Sequence, residues 1–304
     1  MDLRHLRYFV VLAEELHFGR AAKRLGISQP PLSQQIRALE EEVGATLLER
    51  TSRRTNLTEA GKVFLREARK TLAQAERSGE IARRAQRGEI GELNIGFTPS
   101  APLTPKFRST IRAFGAAYPD VRLTFHELST RQQAESLMAG SLDIGFLRTA
   151  GERPMLPDAL AVSATAREEL VAFLPGNHPM AGGYARTRIP ITSFADDPLL
   201  LFSREIGGTT YDQVLGLCRR AGFAPRLGQE AREAVTLLGL VAAGLGVTVL
   251  ASSYRQIQYE GVVMRRLARP VPSATTWLSH NRDNDSPIIQ TFLAIEATGV
   301  GGRL

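Results

Sequence analysis

The chain has 304 residues, with 38 Lys and Arg against 31 Asp and Glu and a single cysteine. Its 43% hydrophobic and 23% charged composition is that of a folded globular protein and excludes a disordered chain. The lone Cys218 excludes a disulfide scaffold, a multi-cysteine metal cluster and a two-thiol redox pair.

At roughly 100–200 residues per domain, the length predicts two or three domains. Charged residues from Asp2 to Arg24 leave no apolar signal-peptide core. The apolar run Leu237–Ala251 is interrupted by glycines and falls short of the roughly 20 residues a bilayer requires. A cytoplasmic protein with no membrane partner is expected. Residues 1–90 hold 17 Lys and Arg against 12 Asp and Glu, whereas residues 91–304 hold 21 against 19. The basic excess therefore sits in the first third, which makes nucleic acid the first partner to consider.

Leu3, Leu6, Val10 and Ala13 recur at spacings of three and four, predicting one face of a first helix. Phe18 to Leu25 is a second short helix, broken by Gly26-Ile27. Ser28 is placed to cap a third, and Pro30 and Pro31 are tolerated in its first turn, where their missing N–H groups have no partner to lose. Leu32, Ile36, Leu39 and Val43 form its expected buried stripe.

Helix, tight turn, helix is the DNA-binding helix-turn-helix pattern, although a plain three-helix bundle shares its outline. What favours DNA is the opposite side of the third helix, where Gln29, Ser33, Gln34 and Arg37 project beside Ser28 and Pro30. Gln pairs bidentately with adenine, Arg with guanine, and Ser with either. The acidic run Glu40-Glu41-Glu42 is expected to be a solvated face.

Leu47 to Thr58 reads as a two-stranded wing with Arg53 and Arg54 at its tip, suited to a minor groove or to phosphate. A long helix then runs from Thr58 to about Gln86. Leu65, Ala68, Leu72, Ala75, Gly79 and Ala82 step along it as a heptad seam of small and medium residues. Such a seam predicts a homodimer presenting two recognition helices to two half-sites.

Residues 1–60 resemble the LysR-type transcriptional regulators. The resemblance is carried by Leu6-Arg7-Tyr8-Phe9, by His17-Phe18-Gly19-Arg20-Ala21-Ala22, by Leu25 through Ile36, and by Leu57-Thr58-Glu59-Ala60-Gly61. It continues through the rest of the chain. It implies an α/β protein with an all-α N-terminal part: a winged helix-turn-helix over 1–58, a linker and dimerisation helix over 59–88, and an effector-binding domain over 89–304. That last domain is expected to be two-lobed and like a periplasmic binding protein, with lobe I at about 91–162 and 266–304 and lobe II at about 163–265. The family also implies promoter DNA, a small effector, a homotetramer built from dimers, and RNA polymerase as a candidate partner.

The pattern of the remaining residues agrees. Leu93–Phe97, Val121–Glu127 and Leu142–Phe146 read as strands alternating with a helix from Thr98-Pro99-Ser100 to about Tyr118 and one opened by Ser129-Thr130. A second set has strands at Glu169–Leu174, Pro198–Phe202 and Val247–Leu250, and helices at Thr210–Ala221 and Arg232–Ala243. This alternation predicts mostly parallel sheets. Ligands in such folds sit outside the carboxyl ends of the strands, where helix N-termini favour anions. Ser100 and Thr130 in the first lobe, with Phe202, Ser203 and Arg204 in the second, are therefore expected to hold a small carboxylate.

Within the family the chain is similar to the branch regulating catabolism of aromatic compounds, with benzoate, muconate or chlorocatechol-derived effectors. The shared stretches are Gly96-Phe97, Ser129-Thr130-Arg131, Asp143-Ile144-Gly145-Phe146 and Arg232-Glu233. That resemblance assigns carboxylate binding to Ser100 and Thr130 and a second, more apolar pocket to Arg148 and Glu233.

Two other function classes compete. An α/β enzyme is disfavoured, because the five histidines lack zinc spacing, Gly244-Leu245-Gly246 lacks a dinucleotide fingerprint's third glycine, and no nucleophile elbow occurs. Neither a metal nor a cofactor is expected. A ligand-independent DNA-binding regulator has no use for a two-lobed domain of this size.

Overall fold

A computed structural model describes residues 1–50, 55–150, 155–182 and 188–298. The chain divides into two compact units, Met1–Gln86 and Arg87–Leu304.

The first unit runs α1 (Leu3–Glu15), α2 (Phe18–Leu25), α3 (Gln29–Val43), β1 (Leu48–Arg50), β2 (Thr55–Leu57) and α4 (Glu59–Gln86). Local chemistry sets these limits. Asp2 caps α1 by accepting from the amides of Arg4 and His5, both at 2.9 Å. The His17 ring caps α2, and Gly26 and Gly44 close α2 and α3 in left-handed geometry. Ser28 occupies the N-cap of α3, but its side chain makes no capping bond, contrary to expectation.

The buried face of α1 is Leu6, Phe9, Leu12 and Ala13, while Leu3 is 46% exposed. It is turned from the predicted stripe because α1 packs on α4 as well as on α2 and α3. Phe9 meets Phe64 of α4 edge to face at 5.1 Å. In α3, Leu32, Ile36 and Leu39 are buried but Val43, in the last turn, is exposed.

Glu40 corrects the reading of its acidic run. One carboxylate oxygen accepts from the amides of Leu47 and Leu48 at 2.9 and 3.0 Å, fastening the wing to α3. On α4 a Cβ at Gly61 would overlap the Leu47 carbonyl, so glycine permits the wing to lie directly on the helix. The expected seam is divided. Leu65, Ala68 and Leu72 pack into the unit's own core, and the seam continues with Ala75, Gly79 and Ala82, which are half-buried or exposed.

The second unit runs β3 (Gly91–Phe97), α5 (Pro105–Ala117), β4 (Val121–Glu127), α6 (Thr130–Met138), β5 (Ile144–Ala150), β6 (Leu160–Pro175), β7 (Arg188–Ile189), β8 (Pro198–Phe202), α7 (Arg204–Arg220), β9 (Arg226–Ala231), α8 (Ala234–Ala242), β10 (Val247–Ala251), β11 (Val262–Leu267), β12 (Ser273–Asn281) and α9 (Pro287–Ala297). Two lobes share β6. Its first part, Leu160 to Glu169, pairs with β12 in lobe I, whose order is β4-β3-β5-β12-β6. Its second part pairs with β10 and β11 in lobe II.

Both sheets are mixed rather than mostly parallel, because β12 runs antiparallel to β5 and β6, and β10 antiparallel to β6. Lobe I is centred on Phe107, Phe114, Phe146 and Phe292, with Phe107 and Phe146 only 4.7 Å apart. Lobe II is layered on both faces, with Leu170, Leu174 and Val214 on one side and Leu200, Leu237 and Val241 on the other. Cys218 is 1% exposed in the first of these layers, and burial pushes its thiol up to about 11. It is a packing residue.

Several elements differ from expectation. A 3-10 turn at Ala101–Leu103 precedes α5, whose N-cap is Thr104 rather than Ser100. Helix α7 starts at Arg204, six residues before the expected Thr210. Strand β6 is 16 residues long where only Glu169–Leu174 was expected. Strand β9 escaped prediction because it is an edge with one buried residue, Ala231. Among the described residues no helix is long and apolar enough to cross a membrane.

Truncating Phe9, which is fully buried against α4, should cost about 3–5 kcal/mol of the first unit's stability. Urea unfolding of Phe9→Ala followed by far-UV circular dichroism tests this. A loss below about 1 kcal/mol would contradict the packing described.

Candidate functional site

In the first unit, the N-terminal half of α3 carries Gln29, Pro30, Gln34 and Arg37 exposed and Ser33 half-buried, with Ser28 exposed just before the helix. Their backs are fixed by Leu32, Ile36 and Leu39, and by a 2.6 Å contact between His5 Nε2 and Gln35 Oε1 that ties α1 to α3. The face is thus rigid beneath and polar outside. Its Gln, Ser and Arg groups suit base edges, and the helix N-terminus adds partial positive charge toward phosphate.

Beside it, β1 and β2 pair in register from Leu48↔Leu57 to Arg50↔Thr55, forming the expected wing. Arg53 and Arg54 lie outside the described residues. Glu14 accepts from Arg69 at 2.8 Å and pairs with Arg24 at 2.9 Å, linking α1, α2 and α4. Those hydrogen bonds, Arg69 first, hold its carboxyl below the usual range.

In the second unit, the candidate cleft residues gather where the two lobes meet. The turn after β3 packs against the 3-10 turn Ser252–Gln256 that follows β10. Gln256 donates to the Leu103 carbonyl at 2.6 Å, and Arg108 donates to Gln256 at 3.0 Å.

Arg148, at the end of β5, is 8% exposed and lies behind these contacts. Its Nη1 donates to Ser100 Oγ at 2.8 Å and to Glu168 Oε2 at 3.2 Å. The other Glu168 oxygen accepts from the Ser253 amide at 2.7 Å and from Ser252 Oγ at 3.4 Å. Tyr254, 6% exposed, shares a hydrogen bond with Ser100, and burial pushes its phenol up to about 12.

The five expected carboxylate ligands behave differently from one another. Ser100 is buried and bonded to Arg148. Thr130 lies at the start of α6, but its hydroxyl is occupied with backbone: it donates to the Arg148 carbonyl at 2.8 Å and accepts from the Arg148 amide at 3.0 Å. Thr130 therefore positions Arg148. Phe202 is buried among the α8-side residues, with its ring 6.1 Å from that of Tyr254. Ser203 follows directly, with its hydroxyl buried and unpartnered.

Arg204 does not turn toward these groups. Its guanidinium is 3.3 Å from Asp212 and 5.9 Å from the centre of the Tyr211 ring, both on its own helix. Glu233 is exposed at the N-cap of α8, and the carboxylate paired with Arg148 is Glu168.

Glu168, Ser253 and Tyr254 were not singled out from sequence. Glu168-Glu169 at the head of an apolar run is the signal that points to the first of them, since a carboxylate inside a strand needs a partner. Other buried polar atoms here also lack partners: Arg148 Nη2, Thr98 Oγ1 and Ser253 Oγ, and Thr276 Oγ1 within β12 opposite Arg148. Buried polar groups are normally satisfied, so unmet donors and acceptors around a lobe junction favour a polar ligand. Among the described residues, no group of three or more His, Cys, Asp or Glu is placed to hold a metal ion.

Comparison with known proteins agrees over the whole chain. Residues 3–62 match the family described as bacterial regulatory helix-turn-helix protein, lysR family. Residues 86–297 match the LysR substrate binding domain. The uncharacterized HTH-type transcriptional regulator YnfL of Escherichia coli K12 is 43% identical over 96% of both chains. The HTH-type transcriptional regulator AlsR of Bacillus subtilis 168 is 40% identical over 97% of this chain and 95% of that protein. Among solved structures, full-length CbnR complexed with its target DNA superposes with a TM-score of 0.82 at 28% identity, covering 98% of this chain and 99% of that one.

Replacing Arg148 by Met leaves Glu168 buried without its cation and should cost about 3–5 kcal/mol. Adding Glu168→Leu to Arg148→Met should restore most of that loss. Denaturant unfolding of the single and double variants tests the pair, and equal stability of the two variants would refute it.

Proposed function

The chain belongs to the LysR family of bacterial transcriptional regulators, and from that premise we propose that a small carboxylate effector, bound where its two lobes meet, sets its activity on promoter DNA. The observation carrying this reading is the buried Arg148 at the lobe junction, with its Nη2 left without a partner and unpartnered hydroxyls at the neighbouring strand ends. A guanidinium that is nine-tenths buried and incompletely bonded favours an oxygen-rich anion.

Ser100 is the first-lobe contact in this reading and Ser203 the second-lobe one. Phe202 supplies an apolar wall suited to an aromatic-derived acid. Thr130 acts by holding Arg148 in place, and Arg204 sits at the rim. On the DNA side, Gln29, Ser33, Gln34 and Arg37 read base edges, while Ser28, Pro30 and the wing arginines Arg53 and Arg54 meet the backbone.

The mechanism follows population-shift logic. An effector that bonds both lobes favours one lobe angle over another, and only such differential contact moves the equilibrium. In a tetramer that is a dimer of dimers paired through α4, the change of lobe angle alters the spacing of the DNA-binding pairs and the access of RNA polymerase. Ala75, Gly79 and Ala82 on α4 are the part of the small-residue seam available for that pairing.

Gln29→Ala or Ser33→Ala should cost about 1–3 kcal/mol on the chain's own upstream DNA and little on scrambled DNA. Gel-shift titrations measure this, and equal losses on both DNAs would remove α3 from base readout. Ser100→Ala should bind the same DNA as the unsubstituted protein while losing the response to a panel of aromatic and aliphatic carboxylates. A retained response would move the effector elsewhere.

A further inference from the structure

At the lobe junction the cation is already matched. Arg148 and Glu168 are 8% and 9% exposed and lie 3.2 Å apart, so this buried pair is neutral as a unit. Arg148 nevertheless keeps Nη2 unbonded, and guanidinium has enough N–H groups to serve two carboxylates at once. Unpartnered hydroxyls sit at neighbouring strand ends: Thr98 after β3, Ser203 after β8 and Ser253 after β10. Glu127, at the end of β4, adds a second negative charge felt at Tyr254. Arg204, the nearest cation in sequence on the lobe II side, is held by Asp212.

We infer that the cleft selects a monocarboxylate, an effector with one ionised carboxyl group received by Arg148 Nη2, and that Glu168 rejects a second ionised carboxylate. The inference rests on the cleft reading above and deepens it. A single carboxylate finds one spare charged donor and several neutral hydroxyls. A dicarboxylate brings a second charge beside Glu168, whose partner Arg148 is already shared, and a like charge in a desolvated site works against binding. Specificity thus comes from an internal anion that occupies half of the arginine.

Ligand pairs with matched skeletons test this on the full-length protein. Benzoate is compared with terephthalate, and 2,4-hexadienoate with muconate, by thermal shift and titration calorimetry. In the unsubstituted protein the monocarboxylate of at least one pair should raise the melting temperature, with its dicarboxylate partner binding at least about tenfold more weakly. In Glu168→Gln, which keeps a carbonyl acceptor for the Ser253 amide, that preference should shrink or invert.

A dicarboxylate binding the unsubstituted protein as tightly as its partner, or more tightly, overturns the inference while leaving the cleft reading standing. A monocarboxylate preference identical in Glu168→Gln overturns the role given to Glu168. Binding of neither class overturns the carboxylate reading itself, and this inference with it. The comparison within the unsubstituted protein decides the first and last outcomes even if Glu168→Gln fails to fold.

Discussion

The second unit is organised around one buried carboxylate. Glu168 sits on the strand common to both lobes, holds Arg148 of lobe I with one oxygen and accepts the Ser253 amide of lobe II with the other. A charge removed from water must be paired and hydrogen-bonded, because its uncompensated burial costs several kcal/mol. The lobes are therefore tied by an electrostatic requirement as well as by apolar contact. Ser100, Thr130 and Tyr254 follow from it: each touches Arg148 or a partner of Arg148. A ligand entering here joins an existing network and must compete with it or complete it.

The first unit solves a different problem, presenting a polar edge rigidly. Core residues of α3 fix its angle, the His5–Gln35 contact ties it to α1, and Glu40 fastens the wing to its far end. The polar side chains of α3 therefore sit on a braced helix, where little conformational freedom remains to be lost on binding. The same bracing claims the first half of the α4 stripe, Leu65, Ala68 and Leu72.

Much of this was legible in the sequence where local rules dominate. The helix-turn-helix, the wing, the start of α4 and the Ser129 capping box all rest on spacing and turn chemistry, and all appear where expected. Legibility failed where tertiary contact decides. Glu40 looks like a solvated acid until its amide partners are known, and Leu3 fits a stripe that α4 rotates out of use. Thr130 was read as a ligand because it opens a helix, yet its hydroxyl is taken by the Arg148 backbone. Arg204 stands at a strand-to-helix junction, a place that suits an anion, but within α7 it faces Asp212. Glu168 escaped because a carboxylate in a strand has no periodic signature, and only its partner explains it.

The passage of β6 through both lobes has an evolutionary and engineering consequence. Side chains alternate across a strand, so gaining or losing one residue in Leu160–Pro175 would invert every downstream side chain relative to those upstream. In lobe II, Leu170, Ala172 and Leu174 would then exchange core layers with Val171 and Phe173 while lobe I stayed intact. A change of length along this strand therefore needs a bulge to absorb it, of the kind already present opposite Thr276 and Trp277. Chimeras that exchange lobes between relatives must splice β6 residue for residue, and must make their other cut in the five-residue connection at 268–272.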